Sequence, residues 1–238
     1  MVSANEFKDA SKMNTGRNAL FKTASIAAVL SVIIIPLSAV LFLMYPAPES
    51  VAGWFAQFQE NKIIGLIQFD FLYVLVNLLL IPIVITFWFL LRRLNESMMV
   101  VAMVLVVIAI PALLISRPMF DFIHLSNQYA AATSDAVRSH YLAAGEVMLA
   151  MFNGTGYHMH LILGVIGYLI ISVLMLKSPY FRKSTAYMGI LGNVLTWGFY
   201  IPKIGIAVLL FSVIFFEAWM ILLALDFFKL VKTNEKNA

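Results

Sequence analysis

The sequence predicts an all-α protein, a polytopic membrane helix bundle of six transmembrane helices with two short amphipathic helices on the outer side. Six apolar stretches are each about as long as a bilayer is thick. Of the 238 residues, 62% are hydrophobic and only 12% are charged. Segments that cross lipid are expected to be helices, since an open strand leaves backbone groups unpaired there.

We predict one membrane domain over residues 23–230, between a cytoplasmic N-terminal segment (1–22) and a cytoplasmic tail (231–238). The first apolar run is longer than a signal-peptide core and lacks a small-residue cleavage site, so we expect it to remain as a span. Prolines 36, 82 and 111 lie inside spans, where they either shape a cavity or simply bend the helix. The predicted spans are about 23–45, 63–91, 98–116, 157–176, 185–200 and 206–228.

Orientation follows from the basic residues, which concentrate on the cytoplasmic side of bacterial membrane proteins. With a cytoplasmic N-terminus, the inner segments hold 12 of the 16 Lys and Arg residues. An even number of spans then places both termini in the cytoplasm.

Two outer segments are predicted to be helical. Glu49–Asn61 carries Trp54, Phe55 and Phe58 among polar residues, which is typical of an interfacial helix that lies on the membrane. Asp135–Phe152 has helical periodicity and a cap near Ser134. Its charge favours an interfacial position, although an inserted seventh span stays open.

Ionisable groups inside lipid are costly, so each indicates a partner or a function. Asp70, Tyr73 and Asn77 are spaced i, i+3, i+7 in the second span and should share one helix face. An interhelical hydrogen-bond clasp and a functional site are both open for this stripe.

The last two predicted spans are joined by a short connection and should form an antiparallel hairpin. This hairpin places Glu217 at the depth of Gly189–Asn193. A structural contact between Glu217 and Asn193 and a proton- or ligand-binding carboxyl are the two interpretations.

A second polar group is predicted near the outer leaflet. His160 shares a small-residue face with Gly164 and Gly167 and should point inward. If the third helix continues past the bilayer, it carries a polar stripe on its outer part that comprises Arg117, Asp121, His124 and Gln128. We expect a polar vestibule lined by Asp70, Asp121, His124, His160 and Glu146.

Several function classes find no support in the residues. Cysteine is absent, which excludes thiolate zinc sites and cysteine nucleophiles. A formal charge of +4, scattered along the chain, is not a nucleic-acid footprint. No zinc-protease spacing or nucleophile elbow is present. We expect no cofactor and no metal site, and enzymatic activity is uncertain and disfavoured.

Several stretches of the chain form recognition patterns, namely Phe55–Lys62 leading into Gly65 and Asp70, Leu125–Thr133, Ala143–Glu146, Gly154–Gly156, Met175–Phe181 and Thr185–Leu191. Through them the chain, over about residues 17–230, resembles the small bacterial integral-membrane proteins known as domain of unknown function 4386. The resemblance implies a bacterial cytoplasmic (inner) membrane protein of several helices and carries no activity with it.

The leading functional hypothesis is that the protein binds a small molecule or lipid in an outer-side polar pocket. A proton-coupled transporter or channel, a metal-dependent membrane enzyme and an accessory membrane subunit are the alternatives. Membrane lipids are the expected partners, together with a small-molecule ligand, and a homo-oligomer is left open. The candidate ligand-binding or proton-linked residues are Asp70, Tyr73, Asn77, Asp121, His124, Glu146, His160, Asn193 and Glu217.

Overall fold

The computed structural model describes the backbone of residues 4–236 and the side chains of residues 17–236. The ends of the two predicted cytoplasmic segments, residues 1–3 and 237–238, lie outside this described part. Apart from a short 3-10 turn over Trp197–Tyr200, its regular structure consists of α-helices, without a strand among the described residues. The helices are α1 (Ala4–Met44), α2 (Val51–Glu60), α3 (Lys62–Gln68), α4 (Phe71–Leu91), α5 (Glu96–Ser116), α6 (Met119–Ala131), α7 (Asp135–Phe152), α8 (Thr155–Met175), α9 (Lys183–Thr196) and α10 (Gly205–Lys236).

The all-helical prediction is confirmed, and several apolar helices fit a multi-pass membrane protein. By length and composition, five helical stretches of the described chain can cross a bilayer. They are Arg17–Met44, Phe71–Leu91, Glu96–Ala131, Asp135–Met175 and Gly205–Lys236. The predicted fifth span corresponds to α9, which has 14 residues and is therefore about 21 Å long. That length is shorter than the hydrocarbon core, so α9 does not qualify alone.

The described chain divides into two compact units. Unit 1 comprises the chain up to Ile33, Leu78–Val106 and the chain from Val165 onward. Unit 2 comprises Ile34–Asn77 and Val107–Gly164.

Unit 2 has an aromatic core to which α2, α6, the start of α4 and Phe69, the residue after α3, contribute buried residues. Phe69 and Phe122 lie 5.1 Å apart between ring centroids, and Trp54 meets Phe69 edge-on at 5.2 Å. Such tilted and edge-on pairs are the favoured aromatic geometries. The buried members of this core are Val51, Trp54, Phe55, Phe58, Phe69, Val74, Met119 and Phe122.

The helix predicted over Glu49–Asn61 is α2, and its apolar face is covered by protein. Trp54, Phe55 and Phe58 are all buried in the core of unit 2. Ser50 caps the helix by accepting from the Gly53 N–H at 3.1 Å. The aromatic residues that predicted contact with lipid therefore hold α2 against its neighbours.

The helix predicted over Asp135–Phe152 is α7, with the same bounds. Ser134 Oγ accepts from the Val137 N–H, which satisfies one of the unpaired donors at its N-terminus. Gly145 lies where α7 meets α2. A Cβ there would clash with Val51 Cγ1 and lie 3.0 Å from Phe55 Cζ, so only glycine allows this approach.

Unit 1 contains the predicted antiparallel hairpin, since α9 packs against α10 and the 3-10 turn lies between them. Trp219 is fully buried, and a Cβ at Gly189 would lie 2.8 Å from its Nε1 atom. Phe87 packs against Trp219, Phe181 and Phe227 with ring centroids about 6 Å apart.

A buried carboxylate fastens one end of this hairpin. Asp226, only 3% exposed, accepts from Arg182 Nε at 2.7 Å through Oδ1 and from Thr185 Oγ1 at 2.6 Å through Oδ2. Arg182 also donates to the Leu222 carbonyl. Because both carboxylate oxygens have donors, this ion pair secures the start of α9 to α10.

Candidate functional site

The candidate site lies in unit 2, where the chain breaks between α3 and α4. Asp70 adopts φ 64°, the left-handed region that non-glycine residues seldom occupy. Its carbonyl accepts the first hydrogen bond of α4, from the Val74 N–H at 2.9 Å. A residue other than glycine that is held in this strained backbone conformation suggests that its side chain has a role there.

The side chain of Asp70 forms an ion pair with Arg117. Arg117 Nε donates to Asp70 Oδ2 at 2.9 Å, and the arginine residue is only 4% exposed. Its Nη1 donates to Ser116 Oγ at 3.0 Å and to the Phe152 carbonyl. The guanidinium lies over the Phe152 ring at 3.8 Å and over the Tyr157 ring at 4.6 Å. One cation is thus held by the end of α5, the α3–α4 break and the end of α7.

A second polar pair in the same unit joins α4 to α8. The Tyr73 hydroxyl lies 2.8 Å from His160 Nε2, and His160 Nδ1 lies 3.0 Å from the Ala109 carbonyl oxygen. A carbonyl only accepts, so Nδ1 carries a proton, and in the neutral imidazole Nε2 then accepts from the Tyr73 hydroxyl. The inward position of His160 agrees with the prediction from the small-residue face.

The prediction that Asp70, Tyr73 and Asn77 share one helix face is wrong. Asp70 precedes α4 and its side chain is set by the left-handed turn, whereas Tyr73 and Asn77 lie within α4. Asn77 Nδ2 donates to the Tyr73 carbonyl one turn back. The three residues serve an ion pair, a tyrosine–histidine bond and a local backbone bond respectively.

The prediction of one stripe through Arg117, Asp121, His124 and Gln128 is also wrong. The helix ends at Ser116 and restarts at Met119, because Pro118 lacks the N–H that a continuous helix needs. Arg117 consequently turns toward Asp70. Asp121, His124 and Gln128 are exposed on α6.

The five residues predicted to line a vestibule do not converge. Asp70 pairs with Arg117 and His160 pairs with Tyr73, while Asp121, His124 and Glu146 are exposed. Of the ion pair, only the carboxylate residue is partly accessible, since 27% of the Asp70 side chain is exposed.

What unit 2 does present is an open groove of about 450 Å³. Its polar residues are Arg117 and Asp121, and the remaining lining is apolar and rich in methionine. We call it the Arg117 groove. It is lined by Leu114, Ile115, Arg117, Pro118, Met119, Phe120, Asp121, Met148 and Met151.

The two remaining candidates lie in unit 1 and do not bond to each other. Asn193 Nδ2 donates to the Gly189 carbonyl at 2.7 Å, within its own helix. Glu217 Oε2 is buried without a hydrogen-bond partner.

Reasoning from sequence overlooked two polar groups. Arg117 was considered only as a member of a stripe, although a basic residue before a proline at a helix end was a signal for a break. Asp226 lies within the predicted span 206–228, and nothing local in the sequence indicates its bonds to Arg182 and Thr185.

Among the side chains that the structure describes, no group of three or more His, Asp or Glu residues could hold a metal ion. Comparison of the chain with protein-family models, with curated proteins and with solved structures gave no match in any of the three.

Proposed function

We propose that the protein binds an amine-bearing amphiphile, a membrane lipid or a small molecule, in the Arg117 groove. The observation that carries this proposal is the charge balance of the groove. Arg117 is neutralised by Asp70, whereas Asp121 has no ion-pair partner among the described side chains. The uncompensated charge at the groove is therefore one carboxylate, which favours an ammonium group.

The walls of the groove suit the apolar part of such a molecule. Ile115 and Phe120 are 67% and 71% exposed, and Met148 and Met151 contribute flexible thioether side chains. Methionine adapts to ligands of different shape, so such a wall accepts a chain rather than one rigid outline. Arg117, held in place by its ion pair with Asp70, is one of the two polar residues of the lining.

We also propose how many times the chain crosses the membrane and on which side its termini lie. Six spans with both termini in the cytoplasm, in a bacterial inner membrane, would place the groove on the outer side. The distribution of basic residues and the resemblance to domain of unknown function 4386 support this arrangement. In that arrangement α9 and the 3-10 turn together serve as the short fifth span.

The test compares two single-chain lipids, one with and one without an ammonium group, lysophosphatidylethanolamine and monoacylglycerol, by native mass spectrometry of the purified protein. We expect the ethanolamine lipid to bind more tightly, and Asp121→Asn to weaken it about tenfold, since a charge-assisted hydrogen bond contributes roughly 1.5–3 kcal/mol. Glu146→Gln is the matched control, because it removes one exposed carboxylate of the same unit outside the groove. Equal binding of both lipids, or an unchanged Asp121→Asn, would overturn the proposal.

A second candidate function, proton-coupled transport, is favoured by Glu217. One of its carboxyl oxygens is buried without a partner inside an apolar helix of 32 residues. Intramembrane carboxyls in such positions often carry protons. Proton flux into proteoliposomes that is lost in Glu217→Gln would support this candidate, and flux that is absent from the parent protein would remove it.

A further inference from the structure

The end of α10 in unit 1 carries three lysines on one helix face. Lys229, Lys232 and Lys236 are spaced i, i+3, i+7, so their side chains follow one another along the helix. They line a groove of about 400 Å³ together with Leu225, Phe228 and Thr233. We call it the lysine groove.

Within the side chains of residues 17–236, the charges of these lysines are uncompensated. The two acidic residues on the same stretch of α10 are occupied elsewhere, since Asp226 pairs with Arg182 and Glu235 pairs with Lys22 at 2.8 Å. No ion pair among the described side chains includes Lys229, Lys232 or Lys236. The lysine groove therefore presents three cationic groups and no neighbouring free carboxylate of α10.

The three lysines lie at a position along α10 that matches the depth of a lipid head group. With 32 residues, α10 is about 48 Å long, whereas the hydrocarbon core is about 30 Å thick and needs roughly 20 residues. Counted from Gly205, the hydrocarbon part ends near Leu225. The lysines thus follow directly after the apolar part, with Leu225 and Phe228 on its edge.

We propose that the lysine groove is a binding site for an anionic phospholipid. The lysine ammonium groups bind the head-group phosphate, and Leu225 and Phe228 contact the first part of an acyl chain. Clusters of basic residues next to a membrane helix attract anionic lipids in this way. The site is in a different unit from the Arg117 groove and does not depend on the proposed function.

The test measures binding of phosphatidylglycerol to the full chain in mild detergent by native mass spectrometry, with phosphatidylcholine as the neutral comparison. We expect Lys229→Gln/Lys232→Gln/Lys236→Gln to weaken phosphatidylglycerol binding on the order of 100-fold, since each lysine contributes about a fivefold factor. The corresponding triple Lys→Arg variant should retain binding, because it keeps the charges.

A matched control removes three basic residues elsewhere, Lys62, Arg93 and Lys177, each replaced by Gln. We expect this variant to bind phosphatidylglycerol like the parent protein. Equal losses in the two triple Gln variants would show a general charge effect and overturn the site. Competition by free glycerol phosphate at the same concentration as the lipid would also overturn it, because the apolar contacts would then contribute nothing.

Discussion

Arg117 and Asp70 are 47 residues apart in the chain, and their side chains form a 2.9 Å ion pair that lies at two helix breaks. Asp70 separates α3 from α4, and Arg117 separates α5 from α6. Each break leaves helix-end groups that need partners. The ion pair links the two breaks and thereby holds Arg117 in its position in the lining of the Arg117 groove.

Replacement of Asp70 tests the energetic role of this pair. We expect Asp70→Asn to lower the free energy of unfolding by about 3 kcal/mol, because it leaves the buried guanidinium without a counter-charge. Asp70→Ala should lower it by roughly 1 kcal/mol more, since alanine tolerates the left-handed backbone poorly. Denaturant unfolding in detergent micelles, followed by circular dichroism, measures both.

The double variant Asp70→Asn/Arg117→Met supplies the control for this prediction. It removes both charges, so its loss should be smaller than the sum of the two single losses. Additive losses would contradict a direct interaction between the two side chains.

The hydrogen bonds of His160 predict its tautomer. The Ala109 carbonyl fixes the proton on Nδ1, so Nε2 should show the ¹⁵N shift of an unprotonated ring nitrogen. Tyr73→Phe should cost about 1–3 kcal/mol of stability, because it leaves that buried nitrogen without a donor. An Nε2-protonated imidazole in the parent protein would contradict the arrangement.

The contact of α7 with α2 depends on the absence of a side chain at Gly145. We expect Gly145→Ala to destabilise the protein by about 1–3 kcal/mol, since the added methyl group meets Val51 and Phe55. Gly164→Ala is the milder comparison, because its Cβ would meet Ala109 Cβ at an ordinary 3.7 Å. Thermal unfolding of the two variants should rank them in that order, and the reverse order would refute the packing.

Replacement of the Glu217 carboxyl group by an apolar side chain should raise the free energy of unfolding. Since its buried oxygen has no partner, Glu217→Leu should stabilise the fold by about 1–3 kcal/mol. Glu217→Gln serves as the control, as it retains a polar group there. A loss of stability in Glu217→Leu would indicate that the carboxyl has a structural bond after all.

Much of the helical framework follows from local sequence. Helix α7 has the bounds that periodicity and Ser134 predict, because a capping hydroxyl and an apolar face specify a helix without distant contacts. The break at Arg117 was equally accessible through Pro118. The predicted stripe of polar residues requires a helix that continues through Pro118, and the break rules this out.

The break at Asp70 has no comparable local signal. Residues Gln68–Phe71 contain no glycine or proline, and the turn depends on an arginine from another part of the chain. The position of Asp70 was therefore predicted as a helix face rather than as a turn. The aromatic face of α2 is predicted to contact the membrane, whereas Trp54, Phe55 and Phe58 are buried in protein; lipid and a protein core both accept such side chains, so the sequence alone does not distinguish them.

Photolabelling tests the proposed amphiphile site most directly. A lysophosphatidylethanolamine with a photoactivatable group in its acyl chain is bound to the purified protein, irradiated, and the labelled peptides are mapped. We predict labels on the Leu114–Asp121 and Met148–Met151 segments, reduced by Asp121→Asn and unaffected by Glu146→Gln. Labels confined to other helices, or equal labelling in the Asp121→Asn variant, would contradict the account.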